Sequence, residues 1–288
     1  INAGPQMKPF EDDVLSYDKV YERFTEYAAW LLRLYVNTMN VIHYMHDKYA
    51  YEKALMALHD TDVHRFMAFG IAGLSVITDS LSAIKYARVT PVRDENGYIT
   101  DFKTEGDFPK FGNDDDRVDM IAKDLTHLVI TELRKTPTYR NAEHTLSVLT
   151  ITSNVMYGKH TGTTPDGRKA GVPLAEGGIS PYQGRNTSGV SSTLASVAAL
   201  DQTRLSHGSI LNLRISKKAV ESERNLEKLA DALRIFCETG GDLVQFNFVD
   251  TNTLRDAQQH PERYRDLLVR VATYSAYFVE LSRELQDD

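Results

Sequence analysis

The sequence predicts an α/β fold of parallel strands with helices packed outside them, and three observations carry that prediction. Residues 147–152 (SVLTIT), 209–215 (SILNLRI) and 243–249 (LVQFNFV) are rich in β-branched and aromatic side chains, the composition of strands buried on both faces. Helical stretches or long loops separate these runs, and strands that alternate with helices at such spacing pair in parallel. Finally, 288 residues, 42% of them hydrophobic, are enough to bury a large core, as one large α/β domain or two ordinary ones. On pattern alone the architecture is an α/β barrel or part of one.

Each element follows from local chemistry. From Tyr17 to about Lys48, apolar residues recur at helical spacing (Val20, Phe24, Tyr27, Ala28, Leu31, Tyr35, Met39 and Ile42), which predicts one long amphipathic helix. A second helix is expected over Tyr49–His59, with Ala54, Leu55 and Leu58 on its apolar side. FMAFGIAGLSVITDSLSAIKYA is apolar in its first half and punctuated by Gly70 and Gly73, so it reads as a buried strand or turn feeding a helix. The Asn-Gly pair in PVRDENGYITDFKTEGDFPKFGNDDDRVD predicts a small surface hairpin. Asp116–Arg134 is helical again, and Asn225–Phe236 forms a helix closed by Gly240-Gly241. LLVRVA at 267–272 is the expected last strand. No internal repeat or low-complexity linker interrupts the chain.

Charge and cysteine usage remove whole classes of function. A net charge of −7 and a pI near 5.7 argue against general binding to nucleic acid or to an anionic membrane. No apolar run is long enough to span a bilayer, and no signal peptide is visible. The single cysteine, Cys237, excludes an internal disulfide framework and suits a reducing, cytoplasmic compartment. The chain starts at Ile1 rather than Met and stops at Gln-Asp-Asp, so a piece of something longer is expected.

Several constellations invite a chemical reading. Residues 157–185 (YGKHTGTTPDGRKAGVPLAEGGISPYQGR) intersperse Lys159, Arg168, Lys169 and Arg185 among glycines, and such a loop can cradle phosphate. It matches neither the Walker nor the Rossmann pattern, and a long ordered loop whose glycines let the backbone approach a core is the better reading. His43, His46 and Asp47 share one helical face, but no third strong ligand follows at metal-like spacing, so no metal is expected. The run Asn113-Asp114-Asp115-Asp116 lacks the EF-hand ligand order and reads as a negatively charged helix start. Cys237 has no base or cation beside it in sequence and reads as a buried structural thiol. There is no Gly-x-Ser-x-Gly elbow, and sequence alone pairs none of the carboxylates. One stretch stands apart: VRVATYSAYF (269–278) places a polar, β-branched Thr273 inside what reads as a buried turn.

IHYMHDKYAYEKALMALHD, GIAGLSVITDSLSAIKYA, LTITSNVMYGKHTGTTPDGRKAG and QFNFVDTNTLRDAQQHPERYRDLLVRV closely resemble the C-terminal half of pyruvate formate-lyase (formate C-acetyltransferase) and related glycyl radical enzymes. The resemblance covers almost the whole chain; residues 42–160 look most like pyruvate formate-lyase proper. PLAEGGISPYQGR and RVATYSAYFVELSRELQDD look more like the glycerol- or choline-lyase branch. It implies one domain over 1–288, half of a ten-stranded α/β barrel, with about 253–288 as the glycyl-radical-type segment. It also implies a radical installed on a glycine by an S-adenosylmethionine iron–sulfur activase and passed to a cysteine. In the parent enzyme the cysteine thiyl radical opens the pyruvate C–C bond, releases formate and leaves an acetyl group for coenzyme A. The implied partners are the activase and either a second copy or the missing N-terminal half, with neither nucleic acid nor membrane.

Two departures qualify what the resemblance implies. The family's cysteine loop lies upstream of this chain, and Cys237 matches no catalytic position. The family pattern Arg-Val-x-Gly-Tyr reads here as Arg270-Val271-Ala272-Thr273-Tyr274, so Thr273 stands where the radical glycine does, within a frame kept by Arg270, Val271 and Tyr274. A side chain at that position crowds the radical carbon and twists it from the plane of its flanking amides. The chain is therefore expected to be inactive alone, with two alternatives: a non-catalytic or split partner subunit, and a glycerol- or choline-lyase-type radical enzyme.

Overall fold

A computed structural model describes residues 4–6, 9–49, 54–55, 59, 63–150, 152–271 and 274–287. The long N-terminal helix α1 (Tyr17–Asp47) forms where the apolar periodicity places it, with Leu32 and Val36 buried and Val20, Phe24, Ala28 and Met39 packed beside them. Of the second expected helix, Ala54 and Leu55 are helical and most of the remainder lies outside the described residues.

Strand β1 (Phe66–Gly70) leads into helix α2 (Leu74–Tyr86), as the sequence predicts. The Asn-Gly signal gives an antiparallel hairpin of β2 (Arg88–Arg93) and β3 (Ile99–Glu105), where Asp94 Oδ1 accepts from the amides of Asn96 and Tyr98, both at 2.9 Å. Helix α3 (Asp116–Leu133) starts on the acidic run: Asp115 is its N-cap and accepts from the Arg117 amide at 3.0 Å. The main core lies between α1, α2 and α3 on one side and β1 on the other, with Phe69, Val118, Ile121, Leu125 and Leu133 at its centre. β4 (Glu143–Ser147) pairs with β1 in parallel and contributes Leu146.

The strand expected at 147–152 is therefore displaced toward the N-terminus. Past Ser147 the chain makes one bridge, Val148 to Ser209, then turns: the Ser153 amide bonds to the Thr150 carbonyl at 2.8 Å and helix α4 (Ser153–Lys159) begins. Of that run, Val148 is buried in the core and the Thr150 carbonyl takes the hydrogen bond of the bend.

Helix α5 (Val190–Ala198) precedes β5 (Leu211–Arg214), and β5 pairs in parallel with β6 (Val244–Asn247) across helix α6 (Glu223–Glu238). The glycine pair closes α6 as expected, with the Gly241 amide on the Phe236 carbonyl at 2.8 Å and Gly240 at φ +100°. Cys237 is exposed, against the buried thiol expected: Phe236 takes the inward position on α6, and the next residue, about 100° further round, faces out. Helix α7 (Thr251–Gln259), capped by Asp250, leads to β7 (Leu268–Val271). β7 is not the last strand; β8 (Tyr274–Tyr277) folds back on it antiparallel, and helix α8 (Arg283–Asp287) follows.

Regular pairing thus divides into two-stranded pieces. β4 meets the start of β5 through the Val148–Ser209 bridge and hydrogen bonds from Val148 to Gly208 and from His207 to Leu146, both 3.1 Å. The neighbour order is β1–β4–β5–β6, all parallel where paired. Loop residue Gly178 crosses tightly over this junction at φ +100°, where a Cβ would stand 2.4 Å from the Val148 carbonyl oxygen. Among the described residues no helix is long and apolar enough to cross a membrane.

Candidate functional site

A cavity of about 80 Å³ opens at the C-terminal ends of β5 and β6, where the β7–β8 hairpin and the last helix close over them. Crevices at the carboxyl ends of parallel strands are the usual binding place of α/β folds, because loops there face outward from fixed strand ends. The polar part of its lining includes Asn212 and Arg214 on β5, Asn247 on β6, Arg270 on β7 and Gln286 on α8. Its apolar part includes Val271, Phe278 and Leu281. Arg214 donates to Glu176 Oε2 at 3.1 Å, and Gln286 Nε2 donates to the carbonyls of Phe278 and Leu281 at 3.0 and 3.1 Å, which fixes the helix over the cavity.

Of the residues singled out in the sequence, Arg270 and Val271 line this cavity. Tyr274 opens β8 opposite Val271 in the hairpin register and is largely exposed. Thr273 and Ala272 lie outside the described residues. The Arg270 guanidinium donates to Gln245 Oε1 and to Ser275 Oγ, both at 3.1 Å, while its backbone amide and carbonyl engage the Asn247 carboxamide at 2.9 and 3.0 Å. Sequence reasoning missed Gln245 and Asn247; the signal was there, as two amides alternating with Val244 and Phe246 in an otherwise apolar strand.

The cations of loop 157–185 are engaged within the protein, as the ordered-loop reading expects. Lys159 pairs with Glu284 at 2.6 Å and Lys169 with Asp101 at 2.8 Å. Arg168 is buried and donates to the carbonyls of Thr161, Gly162, Lys169 and Val172. Arg185 sits between two buried carboxylates, 2.9 Å from Asp79 Oδ2 and 2.7 Å from Asp166 Oδ2. Burial pushes the Asp79 carboxyl up to about 7, against the opposing pull of the Phe111 amide and the Arg185 guanidinium. Asp166 also accepts from Ser80 at 3.2 Å and from Thr164, so this cluster pins the loop to α2.

Elsewhere, Asp47 pairs with Arg140 at 2.5 Å and accepts from the Tyr139 hydroxyl at 2.8 Å, which occupies the carboxylate of the His43–His46–Asp47 face. Among the described residues no group of three His, Cys, Asp or Glu side chains could hold a metal ion.

Comparison with known proteins places this architecture. The chain is 48% identical over 295 aligned positions to the PFL-like enzyme TdcE of Escherichia coli K12, spanning all of this chain and 38% of that protein. The solved glycerol dehydratase of Clostridium butyricum, B12-independent and with glycerol bound, superimposes with a TM-score of 0.85 at 29% identity, over 99% of this chain and 39% of its own. A structure from Roseburia inulinivorans, described for 1,2-propanediol dehydration, gives 0.82 at 30% identity, over 94% of this chain and 38% of its own. The chain therefore spans less than two fifths of the length of each of these relatives. A family model described as glycine radical matches residues 175–279, the part that holds β7, β8 and most of the cavity lining. The model described as pyruvate formate lyase-like matches residues 1–158, more than half of the chain, and the protein belongs to that family.

Proposed function

We propose that this chain is the radical-loop part of a pyruvate formate-lyase-like glycyl radical enzyme and that, with Thr273 in place of the glycine, it does not store the radical. One observation carries the reading: Arg-Val-x-Gly-Tyr becomes Arg270-Val271-Ala272-Thr273-Tyr274 in the sequence, and Arg270 and Val271 line the cavity. Glycine suits radical storage because nothing on its α-carbon opposes planarity with the two flanking amides. A β-branched side chain opposes it, and an L-residue has one α-hydrogen where glycine has two.

The neighbour order β1–β4–β5–β6 supports one half of a ten-stranded barrel, built as a single domain over 1–288. Likeness to TdcE supports descent from formate C-acetyltransferase chemistry on pyruvate or a similar 2-oxo acid. By the same resemblance the cosubstrate would be coenzyme A. The iron–sulfur and S-adenosylmethionine chemistry belongs to a separate activase. A second reading, dehydration or cleavage of a small polyol or choline-like alcohol, draws on the two dehydratase structures. Thr273 itself favours a third, a non-catalytic subunit paired with a second copy or with an N-terminal half-barrel that brings the cysteine; Cys237 is exposed on α6 and is no part of the cavity lining.

The deciding experiment incubates the chain with a family activase, S-adenosylmethionine and reductant, and records electron paramagnetic resonance. No glycyl-type doublet is expected from the natural chain, and a doublet is expected from Thr273→Gly complexed with the N-terminal half of a relative. A doublet mapped to position 273 in the natural chain overturns the reading; so does silence from a well-folded Thr273→Gly complex.

A further inference from the structure

Strand β6 faces two ways. Val244 and Phe246 pack against the main core, so strand alternation turns Gln245 and Asn247 to the opposite side. Both of those side chains engage a single residue of β7. Asn247 Oδ1 accepts from the Arg270 amide at 2.9 Å, and Asn247 Nδ2 donates to the Arg270 carbonyl at 3.0 Å. Gln245 Oε1 accepts from the Arg270 guanidinium at 3.1 Å, and the same guanidinium reaches across the hairpin to Ser275 Oγ at 3.1 Å. Among the described residues no backbone ladder joins β6 to β7. A carboxamide offers one acceptor and a donor side by side, as an extended backbone does, so Asn247 supplies at one position what a neighbouring strand supplies along its length.

We infer that Asn247 is the positioning residue of the β7–β8 hairpin, holding its strands against the cavity through both backbone groups of Arg270, with Gln245 steadying the same residue through its guanidinium. The functional weight of this inference rests on reading the hairpin as the radical loop; the positioning itself is a property of the folded chain and can be tested without a radical. The pairing is demanding: Ala at 247 leaves both Arg270 groups without it, and a carboxylate there accepts from the amide but repels the carbonyl. A protonated carboxyl carries a donor and an acceptor again and restores the match.

The test is hydrogen exchange of the Arg270 amide, expressed as a protection factor, in the natural chain, Asn247→Ala, Asn247→Asp and Gln245→Ala. Loss of the clamp in Asn247→Ala is expected to lower protection by about tenfold, the scale of one to two net hydrogen bonds, with Leu211–Arg214 unchanged. Asn247→Asp should lose protection at pH 7 and regain it as the carboxyl protonates near about pH 4, a recovery that a merely space-filling role would not give. Gln245→Ala should fall between the natural chain and Asn247→Ala. Unchanged protection in Asn247→Ala, an equal loss across β5, or no recovery of Asn247→Asp in acid overturns the inference. Failure of the radical experiment with Thr273→Gly would remove the functional reading and leave this exchange pattern standing.

Discussion

Replacing Arg185 with Met removes the cation that bridges two fully buried carboxylates, those of Asp79 and Asp166, at 2.9 and 2.7 Å. Breaking a buried ion pair from one side costs about 3–5 kcal/mol, because the charge left behind has lost water as well as its partner. Proton uptake by Asp79 limits that cost, and this makes the cost depend on pH. In the natural protein burial holds the Asp79 carboxyl up to about 7, above its ordinary value of 3.8. The folded state therefore binds a proton more tightly than the unfolded chain, and stability falls as pH rises from about 4 to about 7, by at most about 4 kcal/mol. Asp119, raised to about 6 by burial, acts in the lower part of the same window, so the informative range is pH 7–8. There the natural protein has only the last ~0.4 kcal/mol of its Asp79 dependence left to lose and should be nearly flat. Without Arg185 the Asp79 carboxyl moves higher still, and Arg185→Met should keep losing up to about 1.4 kcal/mol per pH unit. Urea unfolding at pH 6, 7 and 8 reads this directly, with Asp79→Asn as the second arm of a double-mutant cycle. The expected cost of Arg185→Met is about 3 kcal/mol at pH 6 and about 4 at pH 8, and the part of the pH dependence carried by Asp79 should vanish in the double variant. A cost below about 1 kcal/mol at pH 8, or one that does not change with pH, would mean that Arg185 is not what holds the buried Asp79 carboxyl in place.

Gly178→Ala combines a left-handed backbone with a Cβ placed 2.4 Å from the Val148 carbonyl oxygen, and should cost more than about 3 kcal/mol in urea unfolding. Gly184→Ala, at φ +75° with nothing within 4 Å, should cost only about 1–2 kcal/mol; equal costs would show that the crossing over β4 is not tight. Native-state alkylation should modify Cys237 fully without shifting the unfolding midpoint, since its thiol is exposed and Phe236 does the packing; a protected thiol or a lowered midpoint would contradict that placement.

Local physics made much of the fold legible. The period of α1, the Asn-Gly hairpin of β2–β3, the acidic start of α3 and the glycine pair after α6 each act within a few residues, and each stands where the sequence puts it. The displaced β4 shows the limit of the same reasoning. SVLTIT has strand composition, but partner availability decides pairing, and β1 pairs with Glu143–Ser147. β8 was missed because Tyr-Ser-Ala-Tyr has no apolar alternation; its other strand, not its own composition, makes it a strand. The site was legible only through family resemblance. Arg270 and Val271 are in the cavity lining, yet nothing local to them announces a cavity. Asp79 and Arg185 lie 106 positions apart, and no spacing rule connects an aspartate inside an apolar helix to an arginine at the end of a glycine-rich loop. The amides of β6 are an intermediate case, since polar residues alternating along an interior strand show that its second face has something polar to hold.

The two kinds of strand pairing also set two folding clocks. In the parallel pair, Phe66 must find Glu143 and Met67 must find His144 across α2, the β2–β3 hairpin and α3, so closing that loop costs entropy before any contact rewards it. In the terminal hairpin, Leu268 has only to meet Tyr277 and Val271 to meet Tyr274. Such a hairpin closes in about 1–10 µs, whereas parallel cores assemble far more slowly. β7 and β8 therefore have a local route to pairing, and what joins them to β6 is side-chain hydrogen bonding, from Asn247 and Gln245 to Arg270, rather than a strand edge.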